Sequence, residues 1–140
     1  MNTVAQLLAL MQPSVDEGRL LERGVEQLQK NLDDFVTVER EGVIVGCAGL
    51  KHYSECQSGE IYALVVNKNY YNTGISVELM TLLYTKASHL GIANVFALSK
   101  HGGHFFIRNG FEVVEVENLP KSRQDSYDHQ RSSTIYQKHC

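Results

Sequence analysis

The feature that most constrains the fold is an apolar strand that leads, through a polar loop, into a long amphipathic helix. Residues 60–66 are apolar on both faces after Glu60, which is typical of a strand in the middle of a sheet. Residues 67–74 form the polar, turn-rich loop. The helix carries an apolar stripe of Ile75, Leu79, Leu83 and Ala87, which Met80 and Leu90 widen. Gly91 is the expected C-cap of this helix. This order of elements predicts a domain of the α/β class.

Hydrophobic periodicity and turn residues predict the other elements. A first helix is expected over residues 4–11, ended by Pro13, and a short second helix precedes the first strand. Gly42 separates two β-rich runs, residues 35–38 and 43–48, and predicts an antiparallel hairpin. Strands are predicted over 94–99, 111–116 and 133–136, and a short helix over 103–109. Residues 117–131 are a polar segment. We expect one domain over residues 1–140, with a mixed, mainly antiparallel sheet flanked by helices.

Composition excludes several classes of protein. Of the 140 residues, 43% are hydrophobic and 21% are charged, so the chain is long and apolar enough to bury a core. A net charge of −3 without any Lys/Arg-rich run argues against nucleic-acid or anionic-membrane partners. No apolar run approaches the roughly 18 residues of a membrane span. The three cysteines are an odd count without framework spacing, which indicates a reducing compartment, and we expect a cytoplasmic protein.

The loop before the long helix is a candidate anion site. Gly74 stands directly before the helix, whose first backbone N–H groups have no helical acceptor and whose dipole is positive at this end. A phosphate group is the ligand that such a site favours. Ordinary turn chemistry is the alternative explanation of a single glycine before a helix.

The pattern of strand, loop and helices resembles the GCN5-related N-acetyltransferase (GNAT) superfamily. The residues that carry the resemblance are Val65-Val66, Tyr70 to Ser76, Leu79, Ser99 and Phe105 to Phe111. The resemblance implies that acetyl-CoA binds here, with its pyrophosphate on the loop Tyr71, Asn72, Thr73, Gly74, Ile75 and Ser76. Tyr71 departs from the Gln or Arg of the usual loop, and Ser76 stands where the last small residue is expected.

A narrower resemblance, to the acetyltransferase domain of the bacterial N-acetylglutamate synthase family, covers nearly the whole chain. It is carried by Glu26-Gln27-Leu28, Gly46 to Lys51, Gly59-Glu60-Ile61, Phe96 to Ser99, Leu119-Pro120, and Tyr127, Gln130, Arg131 and Ser133. This resemblance implies transfer of the acetyl group of acetyl-CoA to the α-amine of L-glutamate. That reaction opens arginine biosynthesis and proceeds by direct attack in a ternary complex.

An acceptor with two carboxylates requires cationic or strongly donating groups, and the planar fork of arginine suits a carboxylate best. By position against the family pattern, the substrate-binding residues are Arg23, Lys51, Arg131 and Ser133. Lys51 and Arg23 have a simpler alternative, since each is also compatible with a solvated surface charge, in the case of Arg23 one paired with Glu22 or Glu26.

The amine must lose a proton before it attacks a thioester, so a carboxylate near the centre of the sheet is the natural base. Glu60 matches the family's glutamate, and its alternative role is a charge at the end of a strand. Ser99 matches a position that protonates or orients the CoA sulfur. The backbone of Ala63, Leu64 and Val65 is expected to bind the thioester carbonyl and pantetheine, and Phe106 to line the pantetheine path unless it serves packing alone.

A metal or covalent mechanism has little support in this sequence. His101 and His104 flank two glycines, which give no helical pair of ligands, and the only candidates left for a third ligand are His139 and Cys140 at the tail. We therefore expect no metal. Cys47 lies in an apolar strand and is interpreted as an inert core thiol.

Two rival functions remain open at this stage: a GNAT enzyme for another amino acid or small amine, and a non-catalytic CoA-binding or partner-binding module. The resemblance also implies two absences. Helical periodicity begins by Val4, so we expect this chain to lack the family's usual first strand and the amino-acid-kinase-like regulatory domain of many bacterial members. The strand at residues 35–38 then becomes an exposed edge, which is suited to a homodimer or to a longer or fused chain.

Overall fold

The computed structural model describes residues 2–140. In that range the α-helices are Thr3–Asp16 (α1), Val25–Lys30 (α2), Ile75–His89 (α3), Gly103–Arg108 (α4) and Lys121–Asp125 (α5). The strands are Phe35–Arg40 (β1), Val43–Tyr53 (β2), Ser58–Val66 (β3), Asn94–Ser99 (β4), Glu112–Val114 (β5) and Thr134–His139 (β6). This is the mixed α/β arrangement that the sequence predicts.

The strands hydrogen bond in the order β1-β2-β3-β4-β6-β5, with β1 at one edge. β1 with β2, β4 with β6, and β5 with β6 are antiparallel, and β3 with β4 is parallel. The chain forms two compact units, one of residues 1–50 and 63–85 (unit 1) and one of residues 51–62 and 86–140 (unit 2). β2 and β3 each contribute residues to both units.

Unit 1 is organised by the β1–β2 hairpin and α3. Glu41 and Gly42 both have positive φ, 54° and 78°, which is the two-residue turn that matches the twist of an antiparallel pair. Ile75 and Leu79 of α3 pack with Val38 and Val45 in a buried cluster. Gly46 makes this packing possible, because a Cβ there would lie 2.6 Å from Ile75 Cγ2.

Unit 2 has its own core around Phe96. The buried members of this cluster are Tyr53, Phe96, Leu119 and Ile135, with Tyr127 packed against it. Asn94 to Ser99 pair along their whole length with Thr134 to His139, so β6 supports the central parallel strand β4. Tyr53 links this core to the polar residues described below, because its hydroxyl donates to Glu60 of β3.

Several sequence predictions are wrong in detail. Pro13 does not end the first helix but lies inside α1, because its carbonyl still accepts the N–H of Glu17 at 3.1 Å even though proline lacks a donor. Leu90 is 40% exposed and does not widen the buried stripe, because α3 ends one residue earlier at His89. The strand predicted over 111–116 pairs with β6 only over Glu112–Val114, since the chain turns into a short 3-10 helix at Val116.

The polar segment over 117–131 is also not a plain loop. It contains α5, which begins directly after Pro120, a residue whose fixed φ suits the entrance of a helix.

Among residues 2–140, the structure has no helix long and apolar enough to cross a membrane. Over the same residues, no three His, Cys, Asp or Glu side chains come together in a group that could hold a metal ion.

Candidate active site

The Glu60 carboxylate is the centre of the polar cluster in unit 2. Glu60 lies in β3 and is 9% exposed. Oε1 accepts hydrogen bonds from Arg123 Nε at 2.8 Å and from the Tyr53 hydroxyl at 3.1 Å, and Oε2 accepts one from Arg123 Nη2 at 3.4 Å. The buried carboxyl group is thus bound by two donors of the Arg123 guanidinium and by one phenol.

Arg123 is a site residue that sequence reasoning missed. Its side chain is 20% exposed, and Nη1 donates to Ser126 Oγ at 3.0 Å. The guanidinium is therefore hydrogen bonded to both Glu60 and Ser126. Residues 117–131 are mostly polar, so no single cation in them stood out. Pro120 and the Lys121–Asp125 pair four residues apart indicate the short helix, but not the contact of Arg123 with Glu60.

Tyr53 joins Glu60 to Lys51. Burial, with the Glu60 carboxylate as the next cause, raises the pKa of the Tyr53 phenol far above its ordinary value, so the hydroxyl stays a donor. The Lys51 Nζ lies 5.0 Å from the centroid of the Tyr53 ring. Lys51 has no carboxylate partner among the described residues, which leaves its ammonium available to a ligand. We call Lys51, Tyr53, Glu60 and Arg123 the Glu60 cluster.

Arg131 and Ser133 are held by a tight turn before β6. Asp128 Oδ1 accepts the backbone N–H groups of Gln130 at 3.0 Å and Arg131 at 3.1 Å, and the Tyr127 hydroxyl donates to the Ser133 carbonyl at 2.8 Å. Arg131 is half-buried and Ser133 is buried. Within residues 2–140 no carboxylate pairs with the Arg131 guanidinium, so this arginine also remains available to a ligand. The turn gives a structural reason for the Tyr-x-x-Gln-Arg-x-Ser motif.

Ser99 ends β4, opposite Thr134 of β6. Its Oγ accepts the backbone N–H of Gly102 at 2.7 Å and that of His101 at 3.3 Å. Because both bonds use the oxygen as acceptor, the hydroxyl proton is left for another partner.

Phe106, which we expect along the pantetheine path, is a buried residue of α4. Its ring stacks on that of Tyr136 with centroids 5.3 Å apart and meets the rings of Phe105 and Phe111 edge-on. These aromatic contacts account for its burial. Its role toward pantetheine stays a prediction.

The predicted phosphate loop lies in unit 1. Asn72 and Gly74 have φ of 63° and 88°, so the loop alternates in handedness just before α3, as anion-binding loops do. Tyr71, Asn72, Thr73 and Gly74 are exposed, whereas Ile75 is buried and anchors the helix start. Tyr71 is 53% exposed and donates its backbone N–H to the Lys68 carbonyl at 3.2 Å.

Ala63, Leu64 and Val65 lie beyond the ladder that joins β3 to β4, which covers Ser58 to Ile61 and Asn94 to Ala97. Ala63 has a φ of 52°, a positive value in mid-strand that locally disturbs the pleat. A cavity of about 320 Å³ lies beside this part of β3 in unit 1; its lining residues include Leu10, Pro13, Ser14, Val65, Lys68 and Tyr71. Val65 and Tyr71, which are both predicted to contact CoA, therefore line the same cavity.

Arg23 and Cys47 also belong to unit 1. Arg23 is half-buried in the segment between α1 and α2, and its Nη1 donates to the Leu21 carbonyl at 3.0 Å. Burial raises the pKa of the Cys47 thiol to about 12, although the nearby Arg23 charge lowers it somewhat. Cys47 is fully buried and donates to the Ala63 carbonyl at 3.4 Å, which confirms the interpretation of a core thiol.

Comparison with protein-family profiles identifies the family of this chain. The profile of the acetyltransferase (GNAT) family matches residues 3–111, well over half of the chain. The chain belongs to the acetyltransferase (GNAT) family. The sequence-based recognition of the family is thereby confirmed.

GNAT proteins with related sequences come from several bacteria. An amino-acid acetyltransferase of Pseudomonas fluorescens (strain Pf0-1) is 37% identical over 135 residues, which are 96% of this chain and 31% of that protein. N-acetylglutamate synthase from Neisseria gonorrhoeae, solved with coenzyme A and N-acetyl-glutamate, superposes with a TM-score of 0.94 at 31% identity, covering 99% of this chain and 33% of that one. The same synthase with coenzyme A and L-arginine gives a TM-score of 0.86 at 32% identity, covering 97% of this chain and 30% of that one. The chain thus spans about a third of the length of these relatives.

Proposed function

We propose that this GNAT domain transfers the acetyl group of acetyl-CoA to the α-amine of L-glutamate. The observation that carries the proposal is the Glu60 cluster. It combines a buried carboxylate, suited to take a proton from an amine, with the Lys51 ammonium. Arg131 is a second cation of the same unit, and no described carboxylate neutralises either Lys51 or Arg131. The similarity to enzymes named for amino-acid and glutamate acetylation supports this choice of acceptor.

Acetyl-CoA supplies the acyl group as an activated thioester. We assign its pyrophosphate to the N-terminus of α3 and the loop from Tyr71 to Ser76, where unsatisfied backbone N–H groups and the helix dipole favour an anion. The backbone at Ala63, Leu64 and Val65, beyond the β3–β4 ladder, is assigned to the thioester carbonyl and pantetheine. Phe106 is proposed to border the pantetheine.

Glu60 acts as the general base. It takes a proton from the ammonium group of the acceptor, directly or through one water, and the free amine attacks the thioester carbon. The new N–C bond forms as the C–S bond breaks, and the second amine proton passes to the departing sulfur. Glu60 returns its proton to solvent, so one proton is released overall in each turnover.

Ser99 is proposed to hydrogen bond to the departing CoA sulfur. Its oxygen already accepts two backbone N–H groups, so its proton points to a further acceptor. A serine hydroxyl is a weak acid, and its contribution is therefore orientation and charge stabilisation more than proton transfer.

The acceptor's carboxylates are assigned to Arg23, Lys51, Arg131 and the Ser133 hydroxyl. A guanidinium offers two parallel donors to one carboxylate, which distinguishes glutamate from a simple amine. We also propose that residues 1–140 act as a single catalytic domain.

The test follows CoA thiol release from acetyl-CoA against a panel of amino acids and small amines, with E60Q as a matched variant. Turnover confined to glutamate, falling about 10²–10⁴-fold in E60Q, is the expected result. Turnover only with other amines would overturn the choice of acceptor. Acetyl-CoA binding without any turnover would point to a non-catalytic module, for which the exposed Tyr71 in the loop is the feature to examine.

A further inference from the structure

The Glu60 carboxylate is not equally available at its two oxygens. Oε1 accepts two hydrogen bonds, from Arg123 Nε and the Tyr53 hydroxyl, whereas Oε2 accepts only one, from Arg123 Nη2 at 3.4 Å. Each carboxylate oxygen has two lone pairs. Oε1 is therefore saturated, and Oε2 keeps one lone pair for an incoming proton.

We infer that Arg123 and Tyr53 are positioning residues that make Oε2 the proton-accepting atom of Glu60. This inference rests on the proposed function, because it concerns residues that orient Glu60, the proposed general base. Neither residue takes part in the transfer itself. Arg123 and Tyr53 act only through the Glu60 carboxylate.

Two features of the surroundings support fixed positioning. Arg123 Nη1 donates to Ser126 Oγ, and this bond restricts rotation of the guanidinium. α5 places Arg123 next to Glu60 of β3. The Tyr53 hydroxyl remains protonated because burial and the Glu60 charge raise the pKa of the phenol. Both partners are therefore permanent donors to the carboxylate over the pH range in which an amine acetyltransferase works.

The charged groups around Glu60 decide the sign of the expected pH effect. β2 contributes Tyr53 and, over the Tyr53 ring, the Lys51 ammonium. The turn after β2 contributes Glu55, which also acts on Tyr53. α5 contributes Arg123, and β4 places apolar Phe96 opposite Glu60. Arg123 is the cation in direct contact with the Glu60 carboxylate, so R123Q removes the nearest opposite charge.

The first measurement does not require turnover. The Glu60 carboxyl resonance is titrated by ¹³C NMR in the wild type, R123Q, R123K and Y53F, with E60Q used for assignment. We expect the midpoint to rise in R123Q, to rise less in Y53F, and to stay near the wild-type value in R123K, which keeps the charge. A midpoint unchanged in both R123Q and Y53F would overturn the inference, whatever the acceptor amino acid is.

The second measurement is the pH dependence of kcat for the active acceptor. The acidic limb should move to higher pH in R123Q, in the same direction as the NMR midpoint, with KM for acetyl-CoA unchanged. R123K should restore the position of the limb but not the full kcat, because an ammonium cannot make the forked contact. K121Q removes an exposed cation of α5 that pairs with Asp125 and not with Glu60, so it serves as the control on α5. A K121Q profile displaced as far as that of R123Q would contradict the inference.

The variants remain informative if one of them folds poorly. Y53F removes a single hydroxyl without changing shape, so it tests Oε1 saturation even if R123Q unfolds. Failure of all acceptors in the panel, together with a normal rise in the R123Q midpoint, would reject the proposed function and retain the positioning of Glu60.

Discussion

Gly102 approaches the Ser99 hydroxyl so closely that a Cβ on Gly102 would lie 2.8 Å from Ser99 Oγ. The same glycine donates its backbone N–H to that oxygen at 2.7 Å. The glycine that follows the strand is therefore part of the Ser99 arrangement: it supplies the N–H that orients the hydroxyl and leaves no room for a side chain.

The first prediction concerns this contact. G102A should displace Ser99 Oγ and lower kcat at least about tenfold, since a misplaced group in an active site loses orientation. Overpacking of this kind also costs about 1–3 kcal/mol of stability. G24A is the matched control, because Gly24 has ordinary φ and nothing within 4 Å of its Cβ position. Thiol release and thermal unfolding of both variants provide the test; equal kcat values would disprove the role of Gly102.

The second prediction separates acceptor binding from acetyl-CoA binding. R131A should raise KM for glutamate by about tenfold or more and leave KM for acetyl-CoA nearly unchanged, because a forked guanidinium contact to a carboxylate is lost. D128A should give a smaller change in the same direction, since Asp128 accepts the Arg131 backbone N–H and shapes the turn. Steady-state kinetics with each substrate varied in turn gives both constants. An equal rise in both KM values would remove Arg131 from the acceptor site.

The third prediction compares two glycines with the same backbone strain. Gly74 and Gly18 have φ of 88° and 75°, and neither has an atom within 4 Å of its Cβ position. Alanine at either position should cost about 1–2 kcal/mol of stability, because a side chain disfavours the left-handed region. G74A alone should weaken acetyl-CoA binding, measured by calorimetry, since Gly74 belongs to the proposed phosphate loop. Similar affinities in G74A and G18A would place the phosphate elsewhere.

The fourth prediction concerns thiol reactivity. With a pKa of about 12, the Cys47 thiol carries only about one thiolate in 10⁴ molecules at pH 8, and it is also shielded from reagent. Cys56 and Cys140 are exposed. Ellman's reagent should therefore titrate two thiols in the native protein at pH 8 and three after denaturation, and C47A should give two in both states. Rapid reaction of three native thiols would show that the Cys47 core opens easily.

Local structure is well determined by the sequence where one short-range pattern has one solution. The stripe from Ile75 to Ala87 is buried as its spacing predicts, and Gly42 adopts the positive φ that its hairpin requires. The prediction failed at Pro13 because a proline costs one hydrogen bond, and the packing of Val4, Leu7 and Met11 holds the rest of α1 in place.

The candidate site shows the same division. Family motifs mark Glu60, Ser99, Arg131 and Ser133 along the chain, and their roles stay predictions. No motif marks Arg123, since its partner Glu60 is 63 residues away and no local pattern indicates that pairing. Likewise the sequence predicts a base at Glu60, but only tertiary contacts decide that Oε1 is saturated and Oε2 is left to accept a proton. The sequence by itself determines which chemical groups are present. The packing of α5 against β3 decides which of them hydrogen bond, because such contacts depend on distance in space and not on spacing in sequence.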